Sequence, residues 1–165
     1  MQSSINTSSH FRITGLPAET FQHLFALTDE QLVAQHAQRY VVDAKPGYPD
    51  RIEMRDAEVG ESVILVNHMH LPDDSPYRSS HAVFVLEGAT ESYDATDRVP
   101  DVLRVRMLSL RAFDDAGMML DADLVAGADI EPLIIRFFAN PAIAFIHVHY
   151  ARRGCYACRI DRVAA

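Results

Sequence analysis

Ala142-Ile-Ala-Phe145-Ile-His147-Val-His149-Tyr150-Ala-Arg152-Arg153-Gly154-Cys155-Tyr-Ala-Cys158-Arg-Ile160-Asp-Arg-Val163 consists of two apolar runs broken by Ala-Arg-Arg-Gly. Two such runs around a short polar break read as a β-hairpin, which is antiparallel by construction. Side chains on a strand alternate faces. His147 and His149 are therefore expected on one face with Ile143 and Phe145, while Ala144, Ile146, Val148 and Tyr150 take the other. The turn leaves two registers open. A two- or four-residue turn on Arg152-Arg153 sets His149 against Tyr156 and His147 against Cys158, whereas a three-residue turn with Gly154 as a bulge brings Ala157 and Arg159 to the histidine face. The first register is favoured, because Tyr156, Cys158 and Ile160 are better apolar partners for Ile143 and Phe145.

Outward from the hairpin, the same strand-and-turn pattern recurs. Ser62 to His70, His81 to Leu86 and Val102 to Phe113 are rich in Val, Leu, Ile and Phe and are separated by Pro, Asp, Ser and Gly clusters. Asp114-Asp115-Ala116-Gly117 is a turn before a short run, Met118 to Leu120, and Phe11 to Thr14 reads as a short edge strand. Helical spacing appears three times. Phe21, Leu24 and Phe25 follow Gly15 and Pro17; Thr28-Asp-Glu-Gln31 matches a capping box that opens a helix to about Gln38. Ile130, Leu133, Ile134, Phe137 and Phe138 mark a helix over Asp129–Asn140, with Pro132 tolerated in its first turn. Tyr40 to Arg55 is loop-like around Pro46-Gly47-Tyr48-Pro49. Strands that follow one another without regular helical crossovers predict an α+β fold, a mainly antiparallel sheet with about three helices.

A chain of 165 residues, 48% hydrophobic and 23% charged, fits a single domain over residues 11–165 behind a polar, disordered tail at residues 1–10. A core of this size needs no disulfide or metal to fold. The start lacks a basic, apolar leader and no run is long enough to cross a bilayer, so a soluble, cytosolic protein is expected. A net charge of −8 opposes binding to nucleic acid or to anionic membranes. Arg104, Arg106, Arg111, Arg152, Arg153, Arg159 and Arg162 make the C-terminal half less acidic, and their clustering would favour a small anion over DNA.

The eight histidines carry the most suggestive chemistry. His68 and His70 repeat the i, i+2 arrangement of His147 and His149, and His81 begins another strand. Each pair projects two imidazoles to one side, and pairs on neighbouring strands would supply the three or four ligands of a zinc or non-haem iron site. A polar rim on a sheet has the same pattern. Cys155 and Cys158 have the spacing of redox and zinc motifs, but residues three apart on a strand point to opposite faces, so reduced, packed thiols are expected. Ser79-Ser80-His81 lacks a nucleophile elbow, and the scattered glycines form no phosphate loop. Tyr48, Arg51, Tyr77 and Arg78 lie in loops where they are solvated or bind a small anion.

Gly47-Tyr-Pro-Asp-Arg51, Gly60-Glu-Ser-Val-Ile-Leu-Val-Asn67 and Pro76-Tyr-Arg-Ser-Ser-His-Ala-Val-Phe-Val85, followed by Leu110-Arg-Ala-Phe-Asp114, Asp121 to Gly127 and Phe145 to Cys155, resemble a bacterial family known as domain of unknown function 1203. The resemblance implies a bacterial source and a one-domain protein, and no activity. Family members often carry Cys in the Pro-x-Arg segment, where this chain has Asp50, so a chemistry built on that thiol is not expected here. Two functional readings result. The favoured one is a non-catalytic domain that binds a small anion or a protein partner through Tyr48, Arg51, Tyr77 and Arg78 and requires no cofactor. The alternative is a zinc- or iron-dependent enzyme built on His147 and His149 with His68, His70 or His81. An exposed edge strand would offer a route to a homodimer.

Overall fold

The computed structural model describes residues 10–164. The expected tail lies outside these residues except for His10, which begins the first strand. Among the described residues nine strands form two antiparallel sheets. β1 (His10–Thr14), β5 (Asp94–Thr96), β6 (Met107–Phe113), β7 (Met119–Ala126), β8 (Phe145–Tyr150) and β9 (Tyr156–Val163) make the larger one, in the order β5-β1-β9-β8-β6-β7. The smaller consists of β2 (Ala37–Val41), β3 (Ser62–Leu71) and β4 (Ser79–Leu86), in sequence order. The helices are α1 (Gln22–Phe25), α2 (Asp29–Val33), α3 (Asp101–Arg104) and α4 (Ile130–Phe138). The expected α+β, antiparallel fold is what forms.

Alternation along the strands explains the two cores. Leu108, Leu110 and Ala112 of β6, Ile146, Val148 and Tyr150 of β8, and Cys158 and Ile160 of β9 share one face of the large sheet. They pack there with Ile130, Leu133, Ile134, Phe137 and Phe138 of α4. The small sheet buries Val63, Val66, Val83 and Val85 with Leu16, Phe21, Leu24 and Leu32 from the N-terminal segment. Tyr156 belongs to this second cluster although it starts a strand of the large sheet. Leu71 of β3 joins Phe113 and Phe145 in a third, smaller cluster. The opposite face of the large sheet thus meets the small sheet, and the histidines lie at that junction.

Several elements depart from the pattern in the sequence, each for a local reason. The Thr28 capping box is present, with Thr28 Oγ1 accepting from the Gln31 N–H and Gln31 returning the bond. The helix nevertheless stops at Val33 rather than Gln38. His36 takes a left-handed backbone with φ 55°, and Ala37–Val41 pairs with β3 instead. Val102 to Phe113 is not one strand. Pro100 opens the short α3, whose Val102 and Leu103 are buried, and Gly127 approaches so closely that a Cβ there would sit 1.7 Å from the Leu103 carbonyl oxygen. β1 is no edge strand but lies between β5 and β9. Ile143 precedes β8 and packs into the main core rather than on the histidine face.

Candidate metal centre

All six residues of β8 are buried. His147 is 2% exposed and His149 1% exposed. Antiparallel pairing sets His147 between Arg111 of β6 and Arg159 of β9, and His149 between Ser109 and Tyr156. The two hairpin registers turn out to be combined. A register shift between Val148 and His149 leaves Ala157 as an extra residue, so Tyr156 faces His149 while Arg159 faces His147. Cys158 consequently pairs with Val148 in the core, away from the histidines, where burial pushes its thiol pKa up.

The small sheet brings the other imidazoles. An irregularity between Met69 and Leu71 lets the His70 ring reach His81, with Nε2 of His70 and Nδ1 of His81 at 2.6 Å and their rings within 19° of parallel. The His70 ring centroid lies 5.2 Å from that of His149 and 5.6 Å from that of His147, and His81 also stands 5.2 Å from His149. Tyr156 lies parallel to His70 at 4.8 Å and edge-on to His147 at 4.9 Å. One ring nitrogen from each of His70, His147 and His149 lies within 4.8 Å of the other two. His68 does not join them. Its ring packs against Phe21 at 5.4 Å.

Hydrogen bonds around this group select tautomers. His149 Nδ1 is 3.0 Å from the Gly154 carbonyl oxygen and must donate to it, which leaves Nε2 with a free lone pair. His70 Nδ1 and His147 Nδ1 are buried without a hydrogen-bond partner. If His70 Nε2 donates to His81 Nδ1, the orphaned Nδ1 is likewise left as an acceptor. Burial also keeps the rings neutral. Desolvation, aided by neighbouring imidazoles and Arg111, lowers the pKa of His70 to about 4, of His149 to about 3 and of His147 to about 2. Neutral imidazoles with free, inward nitrogens are the form that binds metal without first losing a proton.

These shifts have a consequence for the metal-free protein. Unfolded imidazoles take up protons below about pH 6.5, whereas the folded ones resist protonation until the lower values above. Stability is therefore complete above that pH and falls as pH drops through the window, by about 1.4 kcal/mol per pH unit for each histidine involved. Urea midpoints of the apo protein are expected to fall steadily from about pH 6.5 to 4.5. A midpoint constant across that range would mean that the three rings are not held neutral.

The other sequence candidates are dispersed. Tyr48 donates to Asp43 and packs on Phe84 of the small sheet, whereas Tyr77 packs edge-on against Phe113 of the large one. Arg78 is exposed and donates to the Pro72 carbonyl. Arg51 is not a solvated loop cation. It is 1% exposed, and its guanidinium donates to the carbonyls of Tyr156 and Pro49 and to Cys155 Sγ while lying over the Tyr150 ring. Asp50 is buried beside it in sequence and accepts the backbone N–H groups of Ile52, Glu53 and Leu86.

A family model described as protein of unknown function (DUF1203) matches residues 47–162. The chain belongs to this DUF1203 family. No curated protein and no solved structure matches it. His70, His81, His147, His149, Arg111 and Tyr156 all fall within the DUF1203 match. From the sequence Arg111 stood out only as one of seven basic residues and Gly154 only as a turn residue, and neither was placed beside the histidines. The pairing of β6 with β8 that brings Arg111 beside His147 has no local signal.

Proposed function

We propose that this chain is a metal-dependent enzyme that holds one zinc or iron(II) ion on His70, His147 and His149. The observation carrying the reading is the convergence of three imidazoles from two sheets, His147 and His149 buried and His70 partly so, with His149 Nε2 left free by the Gly154 bond and the Nδ1 atoms of His70 and His147 without a hydrogen-bond partner. Imidazole suits these metals, and three protein ligands with an open fourth position are the pattern of catalytic rather than structural zinc. Metal–nitrogen bonds of about 2.0–2.1 Å place ligands about 3.4 Å apart in a tetrahedron, so modest side-chain rotation would close the three nitrogens onto one ion.

The donor set determines the chemistry. Three neutral ligands leave the ion its full double charge, which polarises a bound oxygen and lowers the pKa of bound water to near 7 in zinc sites of this kind. His81 would act from outside, holding His70 through the ring–ring hydrogen bond, and Gly154 would do the same for His149. Binding through Tyr48, Arg51, Tyr77 and Arg78 has less support, because the first and third are loop residues packed against different sheets and Arg51 is consumed by internal acceptors. No helix among the described residues is long and apolar enough to cross a membrane. We place the protein in the cytosol, where Cys155 and Cys158 would remain thiols.

Elemental mass spectrometry of tag-free protein tests the reading. About one equivalent of zinc or iron per chain is expected after growth with both metals supplied. Protein that carries only trace metal, and takes up neither ion when titrated in its apo form, would sink the proposal.

A further inference from the structure

Arg111 is a feature of the junction that the three-histidine ion does not use. It stands in register opposite His147 and is half-buried, and desolvation lowers its pKa. Its positive field reaches His70, His81, His147 and His149. Other partly buried arginines are matched with carboxylates: Arg39 with Glu87, Arg55 with Glu61, Arg104 with Glu131 and Arg106 with Asp56. Arg159, on the other side of His147, pairs with Asp161. Among the described residues Arg111 forms no ion pair, and its hydrogen bond is a long one of 3.4 Å from Nε to Ser109 Oγ.

A guanidinium moved partway out of water needs an anion or several acceptors to offset its desolvation. The nearest group of potential metal ligands contains no carboxylate. An ion there would add two more positive charges, so the centre has a charge deficit inside a chain whose net charge is −8. On the neighbouring strand Arg111 meets only a small apolar side chain. Ala122 and Leu124 of β7 lie opposite Arg111 and Ser109, and Leu124 is 63% exposed, beside Met107 at 53%. The side chains of β7 that flank Arg111 on this face are thus apolar and offer its guanidinium no acceptor.

We infer that Arg111 recognises the carboxylate of a small substrate with an apolar body, held between its guanidinium and the open coordination position of the histidine-bound ion. The inference rests on the metal reading. A planar guanidinium fork matches a planar carboxylate in two parallel hydrogen bonds. A single arginine with no further cationic donor paired to it fits a monoanion better than a phosphate dianion.

Cobalt(II) substitution gives the test, because its visible spectrum reports both loading of the ion and exchange of its exogenous ligand. Benzoate is the probe, with inorganic phosphate as a second arm. Wild-type protein should take up cobalt and bind benzoate more tightly than phosphate. Arg111→Met should load cobalt equally but bind benzoate about ten- to a hundredfold more weakly, and Arg111→Lys, which keeps the charge without the fork, should fall between. Equal benzoate affinity in a cobalt-loaded Arg111→Met protein overturns the role of Arg111 alone, and should that variant fail to fold, wild-type-like affinity in Arg111→Lys does so. Tighter phosphate binding overturns the carboxylate assignment. Failure of the wild type to load cobalt overturns the metal site, and this inference with it.

Discussion

Replacing His149 by alanine is expected to weaken zinc binding by more than a hundredfold in protein that still folds. The residue would supply one of three ligand nitrogens, and even the loss of an outer partner costs about ten- to a hundredfold. The same reasoning grades the neighbours. His147→Ala should match His149→Ala; His81→Ala, which removes only the group holding His70, should cost about ten- to a hundredfold; His68→Ala should leave affinity unchanged, because that ring is turned onto Phe21. The deletion of a 1%-exposed side chain also opens a cavity and costs about 2–4 kcal/mol in the apo protein. Metal titration must therefore be read alongside near-ultraviolet circular dichroism. Equal losses in His68→Ala and His149→Ala would indicate general destabilisation and refute the ligand assignment.

Arg51→Met is expected to destabilise the fold by about 3–5 kcal/mol, as read from urea unfolding of metal-free protein. Methionine fills much of the volume but cannot donate. The carbonyls of Pro49 and Tyr156 and the thiol of Cys155 would lose their partner, and the cation over Tyr150 would vanish. Each bond from a charged donor contributes about 1.5–3 kcal/mol, partly offset by relief of burying the charge. Arg51 ties the loop after Pro49 to the start of β9, so its loss separates segments that the sheets do not otherwise bond. A cost under about 1 kcal/mol would show that burial of the guanidinium cancels its hydrogen bonds.

The fold was legible where periodicity and turn chemistry agree. The C-terminal hairpin, the amphipathic helix ending at Phe138 and the Thr28 cap all announce themselves within a few residues. What escaped depends on remote partners. Ala37–Val41 becomes a strand because β3 is there to pair with it, and Val102-Leu103 becomes a turn of helix because Gly127 allows close approach. The three-residue strand β5 has too few residues to show a period.

The site was legible in its parts and not in its assembly. Two His-x-His pairs and His81 stood out as residue types, and strand alternation put His147 and His149 on one side. That His70 would turn from β3 towards β8, and His68 would not, depends on a register irregularity with no composition signal. Arg51 misled for the opposite reason. Its neighbours Pro49 and Asp50 read as an exposed loop, yet the chain folds that loop under β9 and spends the cation on main-chain oxygens.

The two sheets contribute their histidines from widely separated parts of the chain, His70 from β3 and His147 and His149 from β8, so the group is complete only once β8 has been made. β3 and β4 are complete in the chain well before β8, and until then His70 has no His147 or His149 to face. Only after β8 has been synthesised and paired with β6 does the set close. On the metal reading proposed above, a chain still lacking β8 would offer an ion one sheet's imidazoles at most, so loading would follow folding, and protein made without metal would be folded and empty rather than unfolded.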